Sequence, residues 1–245
     1  MKKKITAIAL VVCLVAVAVV GGSLAYFTDT DKAANVFTTG KVDIQLIEKF
    51  GDENPATAEK LLPATGSAQA GTLKNGITKE VTVKNIGTED AFVRVHIAIP
   101  SVLDNGNPAF DAGQNALHFN YTADSIGEGK WDWSKTTGDP YQGDWNYYET
   151  TIDNIKYNVY VVTYGTALKA NEVTPEKAIH QVYLDSRTSN EAIASYKTTL
   201  GDNWQILVLA EGTQSAGFAN AYEALNTAFG VPGNYTVDWT GAVKQ

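Results

Sequence analysis

The sequence predicts a mainly β protein, a jelly-roll-type β-sandwich with one or two short helices, preceded by a cleaved signal peptide. Three observations lead to this fold class. Apolar and polar residues alternate in many short segments, turn-forming residues separate those segments, and an apolar run follows the lysines at the N-terminus. Roughly seven or eight such strands in about 220 residues are enough to build one sizeable sandwich core.

The N-terminus has the three parts of a secretory signal peptide. Residues 2–4 are lysines, residues 5–20 are apolar apart from one threonine, and small residues follow. Ser23 and Ala25 supply the small-x-small pattern, which predicts cleavage between Ala25 and Tyr26. An uncleaved anchor would need about 20 apolar residues. We therefore expect a signal peptide at 1–25, a single domain at 26–245 and no stable membrane anchor after cleavage.

Composition and charge exclude several function classes. Cys13 is the only cysteine and lies in the apolar run, so the mature chain would have no disulfide, thiolate nucleophile or cysteine-ligated metal. Loss of the three signal lysines leaves 16 of the 19 basic residues against 27 acidic ones, a net charge of −11. Nucleic acid is excluded as a partner, because phosphate binding needs clustered Lys and Arg.

The first predicted strand lies near the new N-terminus. Val42, Ile44 and Leu46 alternate with polar residues, which indicates one buried face. Residues 51–76 are rich in Gly, Ala, Thr and Pro and predict a loop. Residues 62–66 of this loop match the sortase pentapeptide, which we interpret as chance because a sorting signal lies near a C-terminus.

Residues 77–100 carry the clearest β pattern in the chain. Two alternating runs flank a turn at residues 85–87, and the second run stops at Pro100. This arrangement predicts two antiparallel strands.

Aromatic residues are concentrated between residues 101 and 151, where we expect a short strand at 117–122 and then a packed loop or hairpin. Aromatic rings next to Asp and Asn can bind sugars, so these rings are a candidate ligand surface. The alternative is that they close one end of the core. The four candidate residues are Trp131, Trp133, Trp145 and Tyr147.

The C-terminal half predicts three more strands and up to two helices. Residues 152–164 are apolar on both faces, as in a central strand. Shorter strands are predicted at 182–184 and 204–210. Thr174 precedes Pro175 in the form of a helix start. A second helix is predicted to begin after Ser215 as N-cap and to stop at Gly230.

Motifs of catalysis and metal binding are missing from the sequence. Its three histidines, His96, His118 and His180, have no helical i, i+4 partner and no His-Glu-x-x-His motif. No Gly-x-Ser-x-Gly elbow is present. The sequence thus predicts no catalytic, metal-binding or cofactor-binding residue, no cofactor, and a protein that is not an enzyme.

Several segments along the chain together form a pattern that is found in one family of proteins. The signal junction continues from Tyr26 through residues 36–43, and further on come a proline loop at 61–63, a Val-x-Asn-x-Gly turn ending at Gly87 and a Phe-Val-Arg strand at 91–95. Residues 210–214, followed by Gly217 and Phe218, are similar to that family's C-terminal strand and turn. Together these segments resemble the TasA/camelysin family of exported biofilm matrix proteins of Gram-positive bacteria.

The resemblance implies a secreted, extracellular or cell-surface jelly-roll subunit that self-associates into fibres, with other matrix or cell-wall components as further partners. It implies a signal peptidase of the SipW type and a donor strand at 26–39, with Phe27, Val36 and Phe37 as anchors in the next subunit. Two alternatives stay open. One is a monomeric adhesin or carbohydrate-binding protein, and the other is a camelysin-like secreted metallopeptidase.

Overall fold

The computed structural model describes residues 40–51, 61–67, 72–106, 115–120, 130–133, 147–202, 204–240 and 242. This part of the chain contains two antiparallel sheets and two helices. The chain divides into two units between Thr39 and Gly40, and every described residue belongs to the second unit. The elements within the described ranges are β1 (Ile44–Phe50), β2 (Ile77–Asn85), β3 (Ala91–Pro100), β4 (Leu117–Asn120), β5 (Trp131–Asp132), β6 (Tyr147–Ile152), β7 (Ile155–Tyr164), β8 (Gln181–Leu184), α1 (Asn190–Leu200), β9 (Leu207–Gln214) and α2 (Ala221–Phe229).

The first sheet has the strand order β1, β2, β8, β4, and its pairs are antiparallel. Residues of β2 alternate between buried and half-buried along the whole strand. Val81 and Val83 face the core, whereas Thr82 and Lys84 face outward, because successive side chains of a strand point to opposite faces. The predicted strand at the start of residues 77–100 is therefore confirmed.

The second sheet has the strand order β5, β7, β3, β9, and β6 also pairs with β7. All ten residues of β3 are buried, as are residues 157–164 of β7. The prediction of a central strand at 152–164 is confirmed for β7. Asp153 and Asn154, with φ of 48° and 67°, form the tight turn between β6 and β7.

The main core lies between the two sheets, as in a β-sandwich. The mainly β fold class with one or two helices is confirmed. The inward-facing core residues of the first sheet include Val81, Val83, Leu117, Phe119, Val182 and Leu184, and those of the second include Val93, Val95, Ile97, Ile99, Trp131, Tyr160 and Val162.

A third layer covers the outer face of the second sheet. Phe92, near one end of β3, packs in an apolar cluster with α2, and Ala98, towards the other end, packs in a cluster with Trp239 of the C-terminal segment. The side chains of Arg94 and His96 lie on the same face of β3 between these two clusters, because they share the even-numbered positions.

The strand pairing differs from the sequence prediction at β2 and β3. We expected these neighbours to pair, but β2 lies in the first sheet and β3 in the second. The buried Asn85 side chain explains the crossing. Its Nδ2 donates to the carbonyl oxygens of Glu89 (2.7 Å) and Leu168 (2.9 Å), and its Oδ1 accepts from the N–H of Gly87 (2.9 Å). These bonds hold the connection across the end of the sandwich.

The helix predictions need three corrections. Thr174 starts no helix, because its N–H and its hydroxyl both bond to Val83 of β2. α1 was not predicted, although Ser189 caps it by accepting from the N–H of Ala192. α2 begins at Ala221 rather than after Ser215, because Asn220 is its N-cap. It does stop before Gly230, as predicted.

Candidate functional site

The described chain begins with a short segment that is tied to the turn after β2. The carbonyl oxygen of Asp43 accepts from the N–H groups of Ile86 (2.8 Å) and Gly87 (2.9 Å), and that of Lys41 accepts from Thr88 (2.8 Å). A Cβ at Gly87 would lie 2.3 Å from the carbonyl oxygen of Lys41. Glycine is therefore required at this position, and the turn fixes the point at which the chain enters β1.

Strands β1 and β9 are the edges of the two sheets on the same side of the sandwich. Among the described residues, β1 pairs only with β2, and β9 pairs only with β3. The two strands approach closely at Gly212, where an added Cβ would lie 2.8 Å from Cγ2 of Ile44. This side of the sandwich is thus a seam between two edge strands.

Half-buried apolar side chains follow this seam. They pack against the main core without being fully covered by the described residues, in contrast to the buried residues of the central strands. We call this group the edge seam, and it consists of Ile44, Leu46 and Phe50 on β1 together with Ile206 and Ala210 on or beside β9.

The free side of β9 carries unpaired backbone groups among the described residues. The N–H of Ser215 donates to the carbonyl oxygen of Asp90 (2.9 Å), the residue opposite, so this is a hydrogen-bonded pair of the ladder. Along the strand, such residues alternate with residues whose N–H and C=O groups point away from the partner strand. The N–H groups of Ala210 and Gly212 therefore point outward, where an added strand could bond to them.

A buried ionic network joins the second sheet to the layer above it. Arg94 Nε donates to Glu211 Oε2 at 2.6 Å, and His96 Nε2 lies 3.1 Å from the same oxygen. The Tyr235 hydroxyl donates to Glu211 Oε1 (2.8 Å) and accepts from Arg94 Nη2 (2.9 Å). His96 Nδ1 lies 3.3 Å from the Tyr148 hydroxyl. We call these five side chains the Arg94 network.

The network also holds the end of α2. Arg94 Nη1 donates to Asn226 Oδ1 (2.9 Å), and Nη2 donates to the carbonyl oxygen of Gly230 (3.1 Å). The guanidinium carbon lies 5.6 Å from the centroid of the Phe229 ring. One buried arginine thus connects β3 and β9 to the helix and to the C-terminal segment, which makes it a positioning residue for the third layer.

The charge state of the network follows from burial and pairing. Burial lowers the pKa of His96, and the hydrogen bond to Glu211 offsets this only in part. Burial alone would raise the pKa of Glu211, but the hydrogen bonds and charges of His96 and Arg94 lower it to about 2. A neutral His96 donates from Nε2 to the carboxylate and accepts from Tyr148 at Nδ1.

The network should make the protein less stable in mild acid. The folded-state pKa of His96 lies below the unfolded value, so its contribution is complete above pH 6.5 and is lost as the pH falls. Glu211 adds a further loss below pH 4.5, towards its folded pKa of about 2. We expect the free energy of unfolding to fall between pH 7 and 5 by at most about 1.4 kcal/mol per pH unit from His96.

Urea unfolding at pH 7, 6 and 5 measures this effect. His96→Gln should remove the fall in the free energy of unfolding between pH 6.5 and 5, since glutamine can still donate to Glu211 but does not titrate. An equal pH dependence in the original protein and in this variant would contradict the assignment to His96.

The candidate aromatic residues separate into different environments. Trp131 and Trp133 are 0% and 1% exposed and belong to the main core, which favours the packing interpretation for both rings. The ring of Trp133 stacks on Phe119 with centroids 5.5 Å apart. Tyr147 is 39% exposed and remains available at the surface. Trp145 lies outside the described residues.

Each histidine pairs with a different carboxylate. His118 Nε2 lies 2.9 Å from Asp185, and His180 Nδ1 lies 3.9 Å from Glu80, whereas His96 belongs to the Arg94 network. In the described part of the chain, no group of three or more His, Cys, Asp or Glu side chains is placed to hold a metal ion. None of its helices is long and apolar enough to cross a membrane.

The other predicted site residues lie outside the described residues. These are the cleavage pair Ala25 and Tyr26, and the donor-strand anchors Phe27, Val36 and Phe37. The sequence analysis did not single out Glu211 or Tyr235, and it named Arg94 only as part of a strand motif. The signal for Arg94 and Glu211 is that Arg94 interrupts the apolar residues 91–95 of β3 and Glu211 directly follows the apolar residues 207–210 of β9.

The described residues define a class of protein, a two-sheet antiparallel β-sandwich with a half-apolar seam between two edge strands. The sequence model of the camelysin metallo-endopeptidase family matches residues 1–53. This match confirms the resemblance to the TasA/camelysin family, and it covers the N-terminal 53 residues of the chain. No curated protein matches the chain.

Proposed function

We propose that this protein is an exported structural subunit that polymerises into extracellular fibres of a biofilm matrix. In this proposal each subunit donates residues 26–39 as a strand to the next subunit. The observation that carries it is the edge seam, where half-buried apolar side chains lie beside outward-pointing backbone groups of β9. A strand edge whose backbone groups have no partner among the described residues is a template for an added strand.

The acceptor side supplies both kinds of contact that strand addition needs. The outward N–H groups of Ala210 and Gly212 can pair with a donor backbone, which would give affinity and register. Ile206, Leu46 and Phe50 can cover apolar donor side chains. Removal of that half-exposed apolar surface from water would favour assembly.

The donor side is proposed from sequence. Cleavage by a SipW-type peptidase between Ala25 and Tyr26 would free a terminus that carries Phe27, Val36 and Phe37. Each buried aromatic anchor would contribute roughly 2–3 kcal/mol. A free terminus can leave its own subunit without disturbing the middle of the chain. The hydrogen bonds that tie Lys41 and Asp43 to the turn after β2 keep such movement away from β1.

The excess of acidic over basic residues fits an assembly that begins only when a specific contact forms. A net charge far from zero keeps an exported protein soluble until a specific contact forms. Other matrix or cell-wall components are proposed as additional partners. The peptidase alternative rests on the family's description alone, so we do not adopt it.

Deletion of residues 26–35 tests the proposal. The deleted protein should be a folded monomer that forms no filaments, since the described residues form an extensive core among themselves. Electron microscopy and sedimentation of the exported protein and of the deleted form give the measurement.

Two substitutions within the donor segment refine this test. Phe37→Ser removes an anchor and should slow elongation strongly, whereas Asp31→Ser changes a polar position of the same segment and should not. Normal filaments from the deleted form, or an intact protein that stays monomeric at high concentration, would refute donor-strand assembly.

A further inference from the structure

A pocket of about 210 Å³ lies between the outer face of the second sheet, α2 and the C-terminal segment. Its position differs from that of the edge seam, because it is built on the opposite face of β3 from the main core. The lining residues that matter here are Arg94 from the sheet, Tyr222 and Asn226 from α2, and Val231, Pro232 and Asn234 from the C-terminal segment.

The floor of the pocket is a buried and charge-compensated arginine. Arg94 is 1% exposed, and four of the five guanidinium N–H groups donate to Glu211, Asn226, Gly230 and Tyr235. One N–H on Nη1 has no partner among the described residues and can donate to a ligand. Because Glu211 already neutralises the arginine, the pocket favours a neutral acceptor over an anion.

The walls combine an aromatic residue of α2, aliphatic surface and amides. Tyr222 and Asn226 are one turn apart on α2 and both line the pocket, while Val231, which is 53% exposed, lies at the mouth with Pro232 beside it. Asn226 and Asn234 present side-chain amides that both donate and accept hydrogen bonds. Aromatic and aliphatic surfaces suit the apolar face of a sugar ring, and amides suit its hydroxyl groups.

We propose that this pocket binds one neutral sugar ring, such as a single unit of a polysaccharide. Its volume is below the roughly 300–1,000 Å³ of pockets that enclose drug-sized ligands, so it holds one ring rather than an oligosaccharide. The Arg94 network fixes both the floor and the C-terminal wall, so the pocket is preformed. This site would add matrix polysaccharide binding to the protein and does not depend on strand donation.

Saturation-transfer NMR tests the proposal directly. The exported protein is mixed with glucose, galactose or N-acetylglucosamine, and with glucuronate as the anionic comparison. We expect transfer to at least one neutral sugar, with an affinity on the order of millimolar for so few atoms. The method reads the ligand signals, so it works on monomers and filaments alike and is separable from the test of assembly.

Substitutions at the mouth of the pocket test where the sugar binds. Asn234→Ala and Val231→Ser should each weaken binding of the neutral sugar by about three- to tenfold, as loss of one polar or apolar contact predicts. Val173→Ser is the matched control, because Val173 is 40% exposed and does not line the pocket, and it should change nothing. Binding of glucuronate alone, binding of no sugar, or equal binding by both mouth variants and the control would overturn the proposal.

Discussion

Replacement of Arg94 by alanine should lower the free energy of unfolding by about 3–5 kcal/mol, because it leaves the buried Glu211 carboxylate without its main compensating charge. The same change removes the hydrogen bonds to Asn226, Gly230 and Tyr235, so the third layer also loses its attachment to β3. Urea unfolding followed by tryptophan fluorescence at pH 7 measures the loss.

Two further variants show whether the effect comes from the buried pair. Arg187→Ala is the matched control, since Arg187 is exposed and bonds locally to Asp185, and it should cost no more than about 1 kcal/mol. The double variant Arg94→Met/Glu211→Leu should be more stable than the single Arg94→Ala variant, because it leaves no unpaired buried charge. Similar losses for Arg94→Ala and Arg187→Ala would contradict the role of the network.

Substitution of Ala210 by proline should abolish filament growth and leave the subunit folded. The N–H of Ala210 points away from β3, so its removal breaks no bond of the existing ladder but takes away a bond to an added strand. Proline is tolerated on an edge strand when its missing N–H would face solvent. Electron microscopy measures elongation, and circular dichroism measures folding.

Two controls accompany this variant. Ala210→Ser keeps the outward N–H and should still form filaments. Leu209→Pro removes an N–H that faces β3 and should destabilise the sheet itself. If Ala210→Pro forms normal filaments, the edge of β9 is not the acceptor, and the proposed register of assembly is wrong.

Local patterns in the sequence were sufficient for the fold class and for most strands. β2, β3 and β7 lie where period-two alternation or continuous apolar runs predict them, β9 starts within the strand predicted at 204–210 and continues to Gln214, and α2 ends before the predicted glycine. These features depend on neighbouring residues and on burial of one or both faces, which the chain itself encodes. The resemblance of the N-terminal part to its family was also visible in the sequence.

The candidate site was only partly predictable. Arg94 and residues 210–214 belong to motifs that we noted separately, but the sequence does not show that Arg94 and Glu211 face each other across two strands. Trp131 and Trp133 could equally have been surface or core residues until their burial was known. Side chains far apart in sequence meet only through the order of strands in the sheets.

Strand order is what the tertiary structure alone decided. The sequence determined that β2 and β3 are strands, whereas the structure placed them in different sheets because Asn85 anchors the crossing to Leu168, 83 positions away in the chain. Thr174 was predicted to start a helix, but its hydroxyl accepts a hydrogen bond from Val83 of β2, which is also a long-range contact. Local propensity selects the type of element, but burial and hydrogen bonding between distant segments select its partners.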